Sequence, residues 1–337
     1  MLYEYPDRVP ETPPETPLFL LVLTVQLAIP LSLLLWLAVW PARNVAGFGL
    51  QAAGTGAVIL ALALVAQWAV AGWWVPRVLG GLWAMLTVLG AARLWRGQGK
   101  ALPCTRGEWL AVLAGLALLG AGGWAAGIAL SGRITPPGPV VAVANPLGPG
   151  RYLVGNGGAT TLVNVHLHTL DASVARYRPW RGQSHAVDFF GLGRWGMRAD
   201  GLRPADPAAY AIFGRALHAP CDGTVIAAEG GAPDFEVPQL DPVNRLGNHV
   251  ILECDDAWIV LAHMQQGSVT VAPGTAVRRG SRIGAVGNSG ASTEPHLHIH
   301  AQRPAQAGAP PISGAPLPLR IADRYLVRGD RIGGRGR

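Results

Sequence analysis

Four long apolar runs, almost free of charge, occupy most of the first 131 residues of the chain. A helix needs about 20 mostly apolar residues to cross the hydrocarbon core of a bilayer. Residues 1–131 are therefore predicted to form four membrane-spanning helices, since several such runs in succession disfavour the core helices of a soluble protein. The predicted spans are Pro17 to Trp40, Gly47 to Trp73, Val78 to Ala92 and Trp109 to Leu130.

The charges between these runs predict the orientation of the chain, because basic loops stay on the cytoplasmic side. The most basic short loop joins the third and fourth runs and contains Arg93, Arg96, Lys100 and Arg106. Arg43 falls on the same side, whereas Arg77 is an exception on the outer side. The N-terminus falls outside and is acidic, with Glu4, Asp7, Glu11 and Glu15. The chain is thus predicted to be a multi-pass protein of the cell (inner) membrane, periplasmic or extracellular after about Ser131.

After Arg133 the chain changes character, and short apolar runs alternate with Gly, Asn, Asp and Pro. We predict a Pro/Gly-rich linker over 132–150, a β domain over 151–325 and a basic tail over 326–337. Many short strands with turn residues between them are typical of an all-β domain. The strand candidates are Leu162 to Val165, Gly223 to Ile226, His249 to Leu252, Ala257 to Leu261 and Arg282 to Val286.

Charge and cysteine content restrict the partners and the compartment. The net charge is +7, but the arginines are scattered through loops and the tail, so no nucleic-acid partner is expected. The three cysteines form no CxxC or other metal-binding spacing. Cys104 lies between two predicted spans, whereas Cys221 and Cys254 lie in the β domain. Outside the cytoplasm these two could form a disulfide, and two separately buried thiols are the alternative.

The chemistry is concentrated in Pro295-His296-Leu297-His298-Ile299-His300. Successive side chains of a strand point to opposite faces, so the three histidines are predicted to share one face, with the apolar residues packed behind. Neutral imidazole can both bind zinc and accept a proton. Two histidines at this spacing can therefore serve one metal site, one as a ligand and one in proton transfer. An exposed histidine-rich strand face is the alternative.

Five segments of the β domain occur in an order that is typical of one known family. They are Ala219 to Val225, Gly247 to Leu252, Leu261 to Met264, Val271 to Gly284, and Gly287-Asn288-Ser289-Gly290 followed by Glu294-Pro295-His296-Leu297-His298. This series, within roughly residues 185–302, resembles the M23 (LytM/lysostaphin-like) metallopeptidases. The resemblance implies a mainly-β domain with the duplicated hybrid motif of that family.

The resemblance also implies a role for each matching residue. His298 would bind zinc together with His185 and Asp188. His263 and His296 would be catalytic, orienting and deprotonating an attacking water whose pKa zinc lowers towards about 7. The implied function is that of a membrane-anchored zinc metalloendopeptidase that acts on peptidoglycan peptides outside the cytoplasm.

One spacing departs from the family pattern. The family places the His and Asp of its first motif four residues apart, whereas His185 and Asp188 are three apart and Ser184 occupies the expected position. Residues three apart on a regular strand face opposite sides, so only a bulge or irregular backbone would bring His185 to the metal. Otherwise His166 or His168 supplies the ligand from elsewhere, or the site holds no catalytic metal.

A site without metal implies a different class of function. The domain would then be a degenerate LytM-like module that binds cell wall, or that regulates a cell-wall hydrolase or another membrane partner. A lipoyl- or biotinyl-type carrier is a third class, since Gly274 to Gly284 resembles its hairpin. It is excluded because such carriers need an acceptor lysine and none follows Lys100.

Overall fold

The computed structural model describes residues 15–97 and 99–333, with side chains from Phe19 onward. The acidic side chains used above to orient the N-terminus therefore lie outside the described residues: Glu4, Asp7, Glu11 and Glu15. Four helices come first, each long and apolar enough to cross a membrane, as predicted. They are α1 (Glu15–Val39), α2 (Val45–Val65), α3 (Val75–Arg96) and α4 (Arg106–Ser131).

The helices begin where polar side chains can satisfy the free N–H groups of the first turn. Asn44 caps α2, its Oδ1 accepting from the Gly47 N–H at 2.7 Å. Thr105 caps α4 in a capping box, in which Glu108 accepts from the Thr105 N–H at 3.1 Å. The second span was predicted to reach Trp73, but α2 ends at Val65, and residues 66–74 form a loop of turns.

Helices α2 and α4 pack closely because small residues line their contact. A Cβ added at Gly122 would lie 2.6 Å from the backbone nitrogen of Val58, and one at Gly115 would lie 2.8 Å from the carbonyl carbon of Leu50. Only glycine allows two backbones to approach this far, which is the usual device for helix association in membranes. The glycines of these runs therefore hold the bundle together.

The remaining chain is mainly β, with short 3-10 helices at Val165–Leu170, Ala175–His185 and Pro207–Ala209. The strands are β1 (Val141–Val143), β2 (Arg151–Asn156), β3 (Val187–Gly191), β4 (Ala216–His218), β5 (Gly223–Glu229), β6 (Asn248–Cys254), β7 (Ala257–Met264), β8 (Ala276–Val277), β9 (Arg282–Ala285), β10 (Leu297–Gln302), β11 (Pro316–Leu317), β12 (Leu319–Ile321), β13 (Arg324–Tyr325) and β14 (Arg331–Gly333).

The main sheet has the strand order β14-β2-β3-β10-β7-β6-β5-β8, with β11 paired to β10. Strands β1, β12 and β13 form one small sheet, and β4 and β9 form another. The range predicted as a linker contains β1, and the range predicted as a basic tail contains β14, which pairs with β2. Both flanking ranges thus contribute strands to the β domain.

Four of the five strand candidates coincide with β5, β6, β7 and β9. The prediction of a strand at Leu162 to Val165 is wrong, because this segment turns and enters the first 3-10 helix. The cause is Asn164, whose side chain accepts from the His166 N–H and donates to the carbonyls of Gly158 and Ala186. These bonds favour a capped turn over a strand.

The β domain rests directly on the predicted outer ends of the helices. In the loop after α2, Ala69 and Trp73 pack with Leu153, Phe190 and Leu192, and the Arg198 N–H donates to the Ala69 carbonyl at 2.8 Å. At the end of α4, Ala129 packs with Val163 and Val327. The bundle and the β domain therefore share a packed interface, and the domain is not held off the membrane by a spacer.

Cys221 and Cys254 form a disulfide, with their Cα atoms 6.1 Å apart, whereas Cys104 is free and exposed. Disulfides form and persist in oxidising compartments outside the cytoplasm. The pattern is consistent with a β domain outside the membrane and a loop between α3 and α4 on the cytoplasmic side.

This arrangement predicts a sided labelling pattern. A membrane-impermeant maleimide should leave unreduced spheroplasts unlabelled, and should label Cys104 only after permeabilisation. Mild reduction of intact spheroplasts should expose the thiol of half-buried Cys221 to the reagent. Cys104→Ala is the control that removes the permeabilisation-dependent signal. Labelling of Cys104 in intact, unreduced spheroplasts would show the opposite orientation.

Candidate metal centre

The centre of the candidate site is a pair of side chains that face each other across two strands. Asp188 on β3 is directly opposite His298 on β10, and directly opposite residues project from the same face of a sheet. The His298 Nδ1 lies 3.0 Å from the Asp188 Oδ1. Both side chains are buried, and each supplies the other with one of its polar partners.

The alternation predicted for the histidine motif is confirmed on β10. His298 and His300 both lie on the face of Asp188, and their rings are 5.2 Å apart. The His298 Nε2 is 3.0 Å from the His300 Nδ1, while Leu297 and Ile299 are fully buried in the main core on the opposite side. His300 therefore orients the His298 ring from behind.

His263 reaches the same face through irregular backbone. On β7, Ala262 is directly opposite His298, so a regular strand would turn the next side chain away. However, His263 has a φ of +60°, and the pairing of β6 with β7 shifts register between Asn248 and Val250. A left-handed residue beside a bulge re-aims its side chain. The ring of His263 lies 4.8 Å from that of His296.

A histidine from another element completes a group around Asp188. The His166 Nε2 lies 2.8 Å from the Asp188 Oδ2, and its ring stands 4.9 Å from that of His298. His185, predicted as a ligand, belongs to neither of the two potential metal-binding groups found among the described residues. It ends the second 3-10 helix, three residues before Asp188, where the chain has not yet entered β3. The geometry therefore favours His166, and not His185, as the third side chain beside Asp188 and His298.

The packing of Ser184 explains why His166, and not His185, lies beside Asp188. Ser184 is fully buried, and its hydroxyl lies 2.8 Å from that of Thr169 on the first 3-10 helix. Where the family pattern has a histidine, this chain thus has a small residue that packs against the helix carrying His166. His168, the other alternative from the sequence, is exposed. In the sequence, the pair His166 and His168 indicated an alternative ligand. In the structure His166 is the one that lies beside Asp188.

The donor set suits a divalent zinc ion. The donor atoms of His166, Asp188 and His298 all lie within 4.8 Å of one another, as do those of His263, His296 and His298. Two imidazoles and one carboxylate form a common set at catalytic zinc sites. Burial lowers the pKa of His298 to about 4. Burial opposes ionisation of Asp188, but neighbouring His166 and His296 hold the pKa of its carboxyl well below its usual value. A neutral imidazole and an ionised carboxylate are the states that bind metal.

The two remaining histidines present a lone pair to this group. The His263 Nδ1 lies 2.9 Å from the Ser289 carbonyl oxygen, and the His296 Nδ1 lies 2.9 Å from that of Glu294. A carbonyl only accepts, so both Nδ1 atoms carry a proton, and in the neutral ring Nε2 is then the acceptor. Burial holds the pKa of His263 well below its usual value, which keeps that ring neutral.

These groups line a cavity of about 360 Å³. Besides the histidines and Asp188, its walls include Arg245, which stacks on Trp180 at 3.8 Å from the ring centre. Gln67, from the loop after α2, also lines it, and the Gln67 side chain donates to the Gly155 carbonyl at 2.8 Å. The membrane region thus forms part of the wall of the site.

The family model described as "Peptidase family M23" matches residues 208–310. On the basis of this match we call the β domain the M23 domain. The matched range is less than a third of the chain and contains His263, His296 and His298, whereas His166 and Asp188 precede it.

Solved structures similar to this chain include M23 proteins. The catalytic domain of lysostaphin from Staphylococcus simulans is 22% identical over 36% of this chain and 68% of that domain, with a TM-score of 0.24. A solution structure of lysostaphin is 23% identical over 36% of this chain and 38% of that chain, with a TM-score of 0.24. A variant of the catalytic domain of the prophage-encoded M23 protein EnpA from Enterococcus faecalis is 27% identical over 30% of this chain and 73% of that domain, with a TM-score of 0.18. No curated protein matches this chain.

In the M23 domain a buried arginine connects Asp188 to the membrane bundle. Arg328 donates to the carbonyls of Val65 at the end of α2, Gly155 and Leu162, at 2.6, 2.8 and 3.2 Å, and to the Asn156 Oδ1 at 2.7 Å. The Asn156 amide in turn donates to the Asp188 Oδ2 at 2.8 Å. Burial lowers the pKa of Arg328 to about 10, so it remains charged at neutral pH and balances the carboxylate.

The first prediction from this geometry concerns the ligand set. His166→Ala should abolish stoichiometric zinc in the purified full-length protein, because it removes one of three donors. His168→Ala and His185→Ala should keep it, since neither residue faces the group. Zinc content measured by mass spectrometry after dialysis tests this, with thermal unfolding as the check on folding. Loss of zinc in His185→Ala with retention in His166→Ala would reverse the assignment.

The second prediction concerns Arg328, which acts on the site through Asn156. Arg328→Gln should weaken zinc binding by about 10- to 100-fold, the usual range for partners that orient a ligand. Arg328→Lys keeps the charge but cannot make all four hydrogen bonds, so its zinc affinity should lie between those of the wild type and Arg328→Gln. Competition with a fluorescent chelator measures the affinity. Arg320→Gln, on the exposed side of β12, is the matched control, and equal affinity in all variants would contradict the link.

Proposed function

We propose that this chain is a membrane-anchored zinc metalloendopeptidase that acts on peptidoglycan peptides outside the cytoplasm. The observation that carries the proposal is the pair formed by Asp188 and His298, flanked by His166 on one side and by His263 and His296 on the other. The match of residues 208–310 to the family M23 model supports the peptidase class, and the four membrane-capable helices support the anchoring.

In this proposal zinc is held by His166, Asp188 and His298. When bound, zinc supplies a Lewis acid for the scissile carbonyl and lowers the pKa of a coordinated water. Asp188 supplies the negative charge. His300 orients the His298 ring, Asn156 orients the carboxylate, and the buried position of His298 excludes bulk water. Three protein ligands leave a coordination position open for chemistry, as catalytic sites require.

The proton transfers fall to His263 and His296. Each has its Nδ1–H bound to a backbone carbonyl, which leaves Nε2 as an acceptor facing the cavity. The His296 Nε2 is 3.8 Å from the Asp188 Oδ1, within reach of a water held at the centre. One of these nitrogens can take the proton of that water and return it to the leaving amine of the peptide.

The substrate class follows from location and charge. A domain packed on the outer ends of membrane helices is close to the inner surface of the cell wall. Arg245 places a cation on the wall of the cavity, which suits peptides that carry free carboxylates. Peptidoglycan stem and cross-bridge peptides meet both conditions.

The proposal is tested by digestion of purified peptidoglycan with the full-length protein in nanodiscs. We expect released peptide fragments by mass spectrometry, and a loss of about 10²- to 10⁴-fold in rate for His263→Ala and for His296→Ala with zinc retained. His298→Ala should lose both zinc and turnover, and the exposed His168→Ala is the control. Binding of peptidoglycan without any cleavage would instead support a degenerate module that regulates a partner hydrolase.

A further inference from the structure

A second cavity, of about 340 Å³, adjoins the candidate site. It lies between the first turns of α1, the loop after α2 and the segment that precedes β10. Gln67, Thr293 and Glu294 line both this cavity and that of the metal centre. The two cavities therefore share a wall, and we call the second one the α1 cavity.

The α1 cavity descends into the apolar layer of the bundle. On the α1 side it is lined by Phe19, Val22, Leu23 and Gln26. The first and last of these are seven residues apart, which on a helix is about 10 Å along the axis. Because the membrane-capable segment begins at Phe19, the cavity extends below the outer end of that segment.

The lining changes from apolar to charged towards the M23 domain. The Arg203 guanidinium lies 5.0 Å from the ring centre of Phe19, and the Glu294 carboxylate accepts from buried Arg198 at 2.6 Å. The cavity thus has an apolar floor along α1 and a charged rim beside the metal centre. A ligand that fits both parts must be amphiphilic.

Gln26 gives an independent indication of a ligand. It is only 4% exposed, and its amide nitrogen has no hydrogen-bond partner. A buried donor in an apolar wall is unfavourable unless a ligand supplies an acceptor. An ester, ether or phosphate oxygen at the head of a hydrocarbon chain would supply one.

We propose that the enzyme takes peptides carried on a hydrocarbon chain, with the chain in the α1 cavity and the peptide over the metal centre. This inference rests on the proposed peptidase function and names its substrate class. An isoprenoid and an acyl chain share the required chemistry. A water-soluble cross-bridge alone would leave the α1 cavity unused.

The test uses the full-length protein in nanodiscs and one peptide in three forms: untailed, acylated and isoprenylated. A tailed peptide should be cleaved with at least a tenfold higher kcat/KM than the untailed one, mainly through a lower KM. Leu23→Trp fills the cavity and should remove this preference without changing cleavage of the untailed peptide. Leu21→Trp, on an exposed position of the same helix, is the matched control and should keep it. The acyl and isoprenoid arms identify which chain is preferred.

Partitioning of a tailed peptide into the bilayer would raise the rate in every variant alike. A preference that survives Leu23→Trp would therefore overturn the inference and identify the occupant as ordinary bilayer lipid. If Leu23→Trp does not fold, Val22→Trp replaces it. If no peptide form is cleaved, the proposed function fails. The inference is then decided by photocrosslinking of a diazirine-tailed peptide, which should label α1 in the wild type and not in Leu23→Trp.

Discussion

The site depends on the register between β3 and β10, which sets Asp188 directly opposite His298. A slip of one residue would turn every side chain of β10 to the other face of the sheet. It would bury the histidines among the apolar residues of the core and expose Leu297 and Ile299 to the cavity. The fully buried Leu297 and Ile299 therefore help to hold the register, because a one-residue slip would remove both from the core.

The membrane bundle is part of the same construction. Arg328 donates hydrogen bonds to Val65 at the end of α2 and to Asn156, and Asn156 donates one to Asp188. Gln67 and Glu294 contribute walls to both cavities. A buried guanidinium with four acceptors is costly to leave unpaired, so the M23 domain and the bundle hold one geometry together. The loop after α2 thereby lines the candidate metal centre directly, through Gln67.

Features that depend on local sequence patterns were predicted correctly more often than features that depend on distant contacts. The long apolar helices, four of five strands and the shared face of His298 and His300 follow from periodicity and composition. The strand predicted at Leu162 to Val165 failed because the side chain of Asn164 bonds to Gly158 and Ala186. His263 could be identified by resemblance, but its left-handed backbone could not, because a bulge between β6 and β7 imposes it.

By itself the sequence determined the membrane-capable helices, the histidine motif on one strand face and the resemblance of the β domain to M23 peptidases. Those features depend on residues near one another in the chain. Only the tertiary structure decided that His166 joins Asp188 while His185 does not. The physical reason is that this choice depends on how the first 3-10 helix packs against Ser184. The same holds for the walls that Gln67 and α1 contribute. No local pattern records a contact between segments far apart in the chain, such as that of Gln67 with Gly155, which is 88 residues away.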